Sequence, residues 1–172
     1  MSNGIHEEIV EELNSNDPIT IAGALISIGK MGLDEFRDIV LSYINHENPD
    51  IRTQALRVMT FYWKEPKFKE AAFRAIAADP DPDCREHALS YWATYFKATA
   101  DKSALRILAN YAQDTTQPIH FRATALHQFF RVRYPWVYSG EYSEDLGESL
   151  YSAPNEAEFE KLVPMNEIKT YL

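Results

Sequence analysis

Five histidines and one cysteine are the residues of this sequence best suited to bind a metal or to act as a nucleophile. Cys84 stands alone, so it can form neither an intrachain disulfide nor a cysteine cluster for zinc. His120 and His127 share roughly one side of a helix by their spacing, but no carboxylate lies nearby on that side. Phosphate-loop, His-Glu-x-x-His and Gly-x-Ser-x-Gly motifs are absent from the sequence. It therefore predicts a protein that is not an enzyme and uses no cofactor.

Short helices joined by proline-containing turns must position these side chains. Apolar residues recur at helical spacing in four segments, residues 5–13, 33–45, 67–77 and 102–112. A capping oxygen precedes a proline after each segment, which is a start signal for a second helix, at residues 16–18, 48–50, 79–83 and 115–118. The order is therefore first helix, turn, second helix, repeated four times and ending near Arg133.

The four second helices share an Ala-Leu pair at one position of a repeat. The pairs are Ala24-Leu25, Ala55-Leu56, Ala88-Leu89 and Ala125-Leu126. Alanine lets the two helices of a hairpin approach closely, and the leucine fills the layer between neighbouring hairpins. One predicted buried side contains Ile51, Ala55, Met59 and Tyr62, and Cys84 takes the place of Ile51 one repeat later. Cys84 is therefore predicted to be a core residue.

Residues 48–56 and 81–89 carry the pattern Asn/Asp-Pro-Asp-x-Arg-x-x-Ala-Leu. This pattern resembles the signature of HEAT repeats, in the short form seen in bacterial and phycobilisome-lyase-type proteins. The resemblance covers residues 5–133 and implies an all-α fold, an α-α superhelix of about four helical hairpins whose second helices line a concave face. We expect a solenoid over residues 1–134 and an acidic, aromatic C-terminal cap over residues 135–172. HEAT proteins mostly bind other proteins.

The Asp-x-Arg element of this pattern has two interpretations. Asp50 with Arg52 and Asp83 with Arg85 can form a charged binding surface or a structural ladder between adjacent turns. We favour the ladder, since this is how the resemblance explains the pattern.

The net charge of −9 restricts the class of partner. Residues 141–172 hold eight acidic side chains against two lysines. An acidic chain repels phosphate backbones, which argues against nucleic acid and for a basic protein as the partner. No segment is apolar and long enough to cross a bilayer. The N-terminus lacks the basic and apolar regions of a secretion signal, so a cytoplasmic location is expected.

The predicted partner-binding residues lie opposite the buried side of the second helices and in the tail. They are Arg57, Thr60, Lys64, Ser90, Lys97, His127, Phe130 and Tyr134, followed by Trp136, Tyr138, Tyr142, Glu144 and Asp145. The helical members are more basic than the rest of the chain, so they suit an acidic segment. The tail residues either cap the last repeat or bind a basic partner directly.

Three function hypotheses follow. The first is a protein-binding scaffold, in its concrete form a bacterial immunity or antitoxin-like protein that neutralises a basic toxin domain. The second is a HEAT-like lyase subunit or tetrapyrrole-handling protein, suggested by the resemblance to phycobilin lyases and by His127, Phe130 and Tyr134 at one end. The third is a HEAT-like DNA glycosylase, which needs a basic concave face and a positioned acid, and the net charge argues against it.

Overall fold

The computed structural model describes residues 2–134, 160–161 and 165–172, and all regular secondary structure in these ranges is helical. The chain divides into two compact units, residues 1–95 and 96–172, which are described separately. The expected boundary near residue 134 stays a prediction. None of the described helices has both the length and the apolar character needed to cross a membrane.

Three helical hairpins make up the first unit. They pair α1 (Ser2–Leu13) with α2 (Pro18–Met31), α3 (Arg37–Ser42) with α4 (Pro49–Arg57), and α5 (Lys69–Ala78) with α6 (Pro82–Ala93). Short 3-10 turns, Asp34–Phe36, Tyr43–Asn45, Pro66–Phe68 and Thr94–Phe96, extend the hairpins, and a π-helix, Val58–Trp63, continues α4. The second helices pack side by side, α2 against α4 and α4 against α6. This is the stacking predicted for helical repeats.

The predicted second-helix starts are confirmed in this unit. Pro18, Pro49 and Pro82 are the first residues of α2, α4 and α6. The preceding Asp or Asn accepts hydrogen bonds from backbone N–H groups of the first turn, for example from Cys84 to Asp81 at 2.9 Å. Each cap satisfies donors that a helix leaves unpaired at its N-terminus.

The repeated Ala-Leu pairs lie in the core, as predicted. Ala24, Ala55 and Ala88 have no exposed surface, and the three following leucines are at most 3% exposed. Cys84 is 1% exposed, and burial raises the pKa of its thiol to about 11. The thiol is therefore protonated and shielded, which is the state of a structural cysteine.

Arg52 holds two adjacent hairpins together at their turns. Its Nε and Nη2 donate to the two Asp79 carboxylate oxygens at 2.9 and 2.7 Å. Its Nη1 donates to the carbonyls of His46 and Glu47, both at 2.8 Å. The expectation that Asp50 and Asp83 pair with these arginines is wrong, because both aspartates are exposed at the helix starts. The Asp79 carboxylate pairs with Arg52, and Arg85 donates to the Asp79 carbonyl at 2.9 Å.

The second unit contains the fourth hairpin, α7 (Lys102–Gln113) and α8 (Ile119–Arg133), and a short C-terminal helix, α9 (Met165–Ile168). The predicted buried residues of α8 are confirmed, since Ala125, Phe129 and Val132 have no exposed surface. Ile168 is also fully buried, and the ring of Tyr171 lies 5.4 Å from that of Phe129. The capping role of residues 135–172 stays a prediction. The rest of the predicted cap and its helix at residues 155–163 lie almost entirely outside the described residues.

Candidate functional site

The solvent side of the second helices in the first unit carries a cluster that we call the aromatic face. It consists of Arg57, Phe61, Tyr62, His87 and Tyr91. Tyr62 fits against Gly29 of α2 so closely that a Cβ on this glycine would lie 2.5 Å from Tyr62 Cδ2. Gly29 and Tyr62 are about one repeat apart, so equivalent ends of neighbouring second helices lie side by side.

The π-helix Val58–Trp63 positions the aromatic side chains. Its C-terminal Lys64 donates its N–H to the Met59 carbonyl, five residues back, at 3.0 Å. Lys64 has a φ of 50°, a left-handed conformation that is uncommon for a residue with a side chain. Because π-type bonds put more residues into a turn, the side chains after Arg57 are rotated relative to an α-helix. Phe61, four residues after Arg57, faces solvent with 54% of its surface exposed.

Ring contacts hold the face together. The Arg57 guanidinium lies 5.8 Å from the Tyr62 ring centroid, a cation–π distance. The Phe61 and Tyr62 rings meet edge to face at 5.3 Å, and His87 stacks on Tyr91 at 6.0 Å. Burial raises the pKa of Tyr91 to about 12, while the Arg57 charge opposes this rise. Tyr91 therefore keeps its hydroxyl proton throughout the physiological range.

The chemistry of the aromatic face is that of recognition. Arg57 presents guanidinium N–H groups, which bind carboxylates and carbonyl oxygens. Phe61 presents a flat apolar surface, and Tyr62 and Tyr91 combine rings with hydroxyl groups. A contiguous group of Arg, Tyr and Phe has the composition of a protein-binding hot spot.

Two of the predicted binding residues are wrong because their side chains are buried. Thr60 has no exposed surface, and its hydroxyl donates to the carbonyl of Leu56 in α4 at 2.6 Å. Phe130 is 4% exposed, with its ring stacked on Tyr134 at 6.1 Å and edge to face with Phe129 at 5.7 Å. It cannot stack on a tetrapyrrole or a partner without displacing these neighbours.

The other predicted binding residues fall into separate groups. In the first unit, Arg57 is part of the aromatic face, Lys64 is exposed at its edge, and Ser90 is half-buried on α6. In the second unit, Lys97 is exposed, whereas His127 and Tyr134 are half-buried. Burial lowers the pKa of His127, and the nearby Arg131 charge lowers it further. The five tail residues, Trp136, Tyr138, Tyr142, Glu144 and Asp145, lie outside the described residues.

The sequence predicts Tyr62 on the buried side, and Tyr62 is half-buried against the core, but the prediction does not single out Phe61, His87 or Tyr91. It assumed an uninterrupted α-helix through residue 64, which put Thr60 outward. The exposed side instead continues from Arg57 to Phe61, a spacing of four residues. A run of three consecutive aromatics, Phe61-Tyr62-Trp63, was the available signal, because one helix side cannot bury all three.

The first unit also contains a cavity of about 480 Å³. It lies between the second and third hairpins, with Ile44, Leu56 and Ala75 on its apolar wall and the Arg52–Asp79 pair on its polar wall. The polar groups of that pair already bond to each other and to backbone carbonyls. The cavity wall therefore offers mainly apolar surface.

Stacked helical hairpins define a helical-repeat protein. The chain matches the family model for HEAT repeats over residues 7–93, half of its length, and it belongs to the HEAT-repeat family. This match shows the predicted family. No curated protein and no solved structure matches the chain. HEAT repeats generally serve as non-catalytic scaffolds for protein interactions.

Proposed function

We propose that this protein is a scaffold that binds another protein through the aromatic face. The observation that carries the proposal is the large exposed fraction of Phe61, 54%, beside Arg57 and Tyr62 on a π-helix. Hydration of an exposed phenylalanine ring is unfavourable, and burying the ring against a partner would remove this free-energy cost. π-Helical segments often occur at functional sites.

The arrangement of the face supports binding rather than packing alone. Its rings are held by Gly29 and by one another, so little side-chain entropy is lost when a partner docks. The face extends over two adjacent second helices, α4 and α6. This suits a partner segment that crosses the repeats.

The finer form of the proposal is the immunity or antitoxin-like role in the cytoplasm, in which the chain neutralises a basic toxin domain. Its support is the net charge of −9, which would steer a basic partner toward the chain. Exposed Glu7, Glu8 and Glu11 on α1 contribute to this charge. Association with such a partner should slow steeply as salt is raised.

Site-specific photocrosslinking tests the proposed surface. A photoreactive phenylalanine analogue replaces Phe61 in the full chain, with matched positions at Val10 on α1 and Arg74 on α5, both exposed. In extract of the native host, we expect one discrete protein adduct from position 61 that Arg57→Gln weakens. Adducts from position 10 or 74 with none from position 61 would contradict the aromatic face, and a basic protein in the adduct would support the finer role.

A further inference from the structure

We propose that the aromatic face recognises an acidic, extended segment of the partner, with a carboxylate on Arg57 and an apolar side chain on Phe61. This inference rests on the proposed function and names the chemistry of the segment bound there. The inference concerns the partner residues that contact Arg57 and Phe61, whereas the net charge of the chain acts on the whole partner over longer distances.

The charge distribution of the first unit favours a negatively charged segment at the aromatic face. Residues 1–95 hold 16 acidic and nine basic side chains, so this unit is acidic overall. The C-terminal parts of the three second helices, residues 29–31, 57–64 and 87–95, hold no acidic residue, and Glu65 and Glu86 lie just outside these ranges. They hold Lys30, Arg57 and Lys64. A local positive surface on an acidic unit attracts a negative segment to that place.

The helix dipole explains part of this pattern. A positive side chain near a helix C-terminus is stabilised by the dipole, which accounts for Lys30 at the end of α2. It does not account for the exposed ring of Phe61 or for His87 and Tyr91 beside Arg57.

The contacts of Arg57 indicate that its guanidinium can bind a carboxylate of the partner. Arg37 is paired with Asp34 and Glu65, and Arg52 with Asp79. Within the described part of the chain, Arg57 has a ring contact with Tyr62 but no carboxylate partner. Its guanidinium N–H groups are therefore available to a carboxylate, in the bidentate geometry that arginine favours.

Fluorescence anisotropy with the full chain tests this inference. The probe is a labelled peptide in which Asp residues flank a Leu-Phe pair, with matched peptides that carry Asn or Lys for Asp, or Ser for Leu and Phe. We expect the Asp peptide to bind at least about tenfold more tightly than the Asn and Lys peptides. Arg57→Gln should weaken its binding about tenfold, whereas Arg74→Gln should leave it unchanged.

Two further measurements exclude indirect effects. Charge reversal in Arg57→Glu should restore binding with the Lys peptide, a rescue that a misfolded variant cannot show. Phe61→Ala should weaken the Leu-Phe peptide but not the Ser peptide. Circular dichroism checks that each variant is folded.

Several outcomes would overturn the inference. These are equal binding of the Lys and Asp peptides, unchanged affinity in Arg57→Gln, no binding of any peptide, or a concentration-dependent dimer that Phe61→Ala abolishes. The last would mean that a second copy covers the face. An adduct from position 61 alongside failed peptide binding would leave the proposed function intact and remove only the acidic segment.

Discussion

Arg52 and Arg57 lie on the same continuous helical segment but differ in what surrounds their guanidinium groups. Arg52 is 7% exposed and donates to Asp79 and to two backbone carbonyls. Arg57 is half-buried beside Tyr62 and has no carboxylate partner in the described residues. The comparison separates an arginine that builds the repeat stack from one that is available to a partner. We expect substitutions at Arg52 to affect folding and those around Arg57 to affect binding.

The largest expected effect is that of Arg52→Ala. Removing the guanidinium leaves the Asp79 carboxylate, whose side chain is 7% exposed, without its ion pair, and two carbonyls lose a donor. We expect the free energy of unfolding to fall by about 3 kcal/mol, the scale for breaking a buried pair from one side. Urea denaturation measures this fall. Arg74→Ala is the control, and it should change stability by less than about 0.5 kcal/mol.

The Arg52–Asp79 ion pair predicts that the stability of the protein depends on pH. Burial by itself raises the pKa of Asp79, but hydrogen bonds from Arg52 and from the Asp81 N–H outweigh it and leave the pKa below its ordinary value. The stability from this group is thus fully present above the unfolded pKa of about 4 and is lost as the pH falls through the folded value. Thermal unfolding from neutral to acidic pH measures the slope. Asp79→Asn should reduce that slope, and an unchanged slope would contradict the assignment.

Gly29→Ala should have the next largest effect. A Cβ at this position would lie 2.5 Å from Tyr62 Cδ2 and 2.9 Å from its Cγ, so the ring must move. We expect a loss of about 1 kcal/mol from overpacking, after the helix-propensity gain of alanine, together with weaker binding at the aromatic face.

Gly23→Ala is the matched control on the same helix. A Cβ there meets nothing within 4 Å, so the propensity of alanine should stabilise the protein by about 0.5–1 kcal/mol. Thermal unfolding of the two variants side by side gives the comparison. Equal changes in the two would show that Tyr62 does not depend on Gly29.

The sequence predicts the parts of this fold that depend on local patterns. Alanine at 24, 55 and 88 indicates where two helices pack closely, and Asp or Asn before proline indicates where a helix starts. Both patterns can be read from the sequence because they depend on residues only a few positions apart. The Arg52 partner was missed because Asp79 lies 27 residues away in another turn. A helical signature can identify the arginine but not the distant carboxylate that packing brings to it.

The candidate site was less predictable for a related reason. An ideal helix period places Thr60 on the outer side, whereas Thr60 is buried within the π-helix from Val58 to Trp63 and the outer side continues from Arg57 to Phe61. The three consecutive aromatics of this segment contact Gly29, Arg37 and solvent, and no single residue type marks the change of hydrogen bonding. Arg57 precedes this change and is half-buried beside Tyr62, and its role in binding stays a prediction.

The most direct test combines unfolding and binding in Phe61→Ala. Phe61 is 54% exposed, so its loss removes little buried area, and the free energy of unfolding in urea should change by less than about 0.5 kcal/mol. Affinity for the protein crosslinked at position 61 should fall at least about tenfold, as expected for an aromatic hot spot. A fall in stability of more than about 1 kcal/mol with unchanged affinity would contradict the assignment of this face to binding.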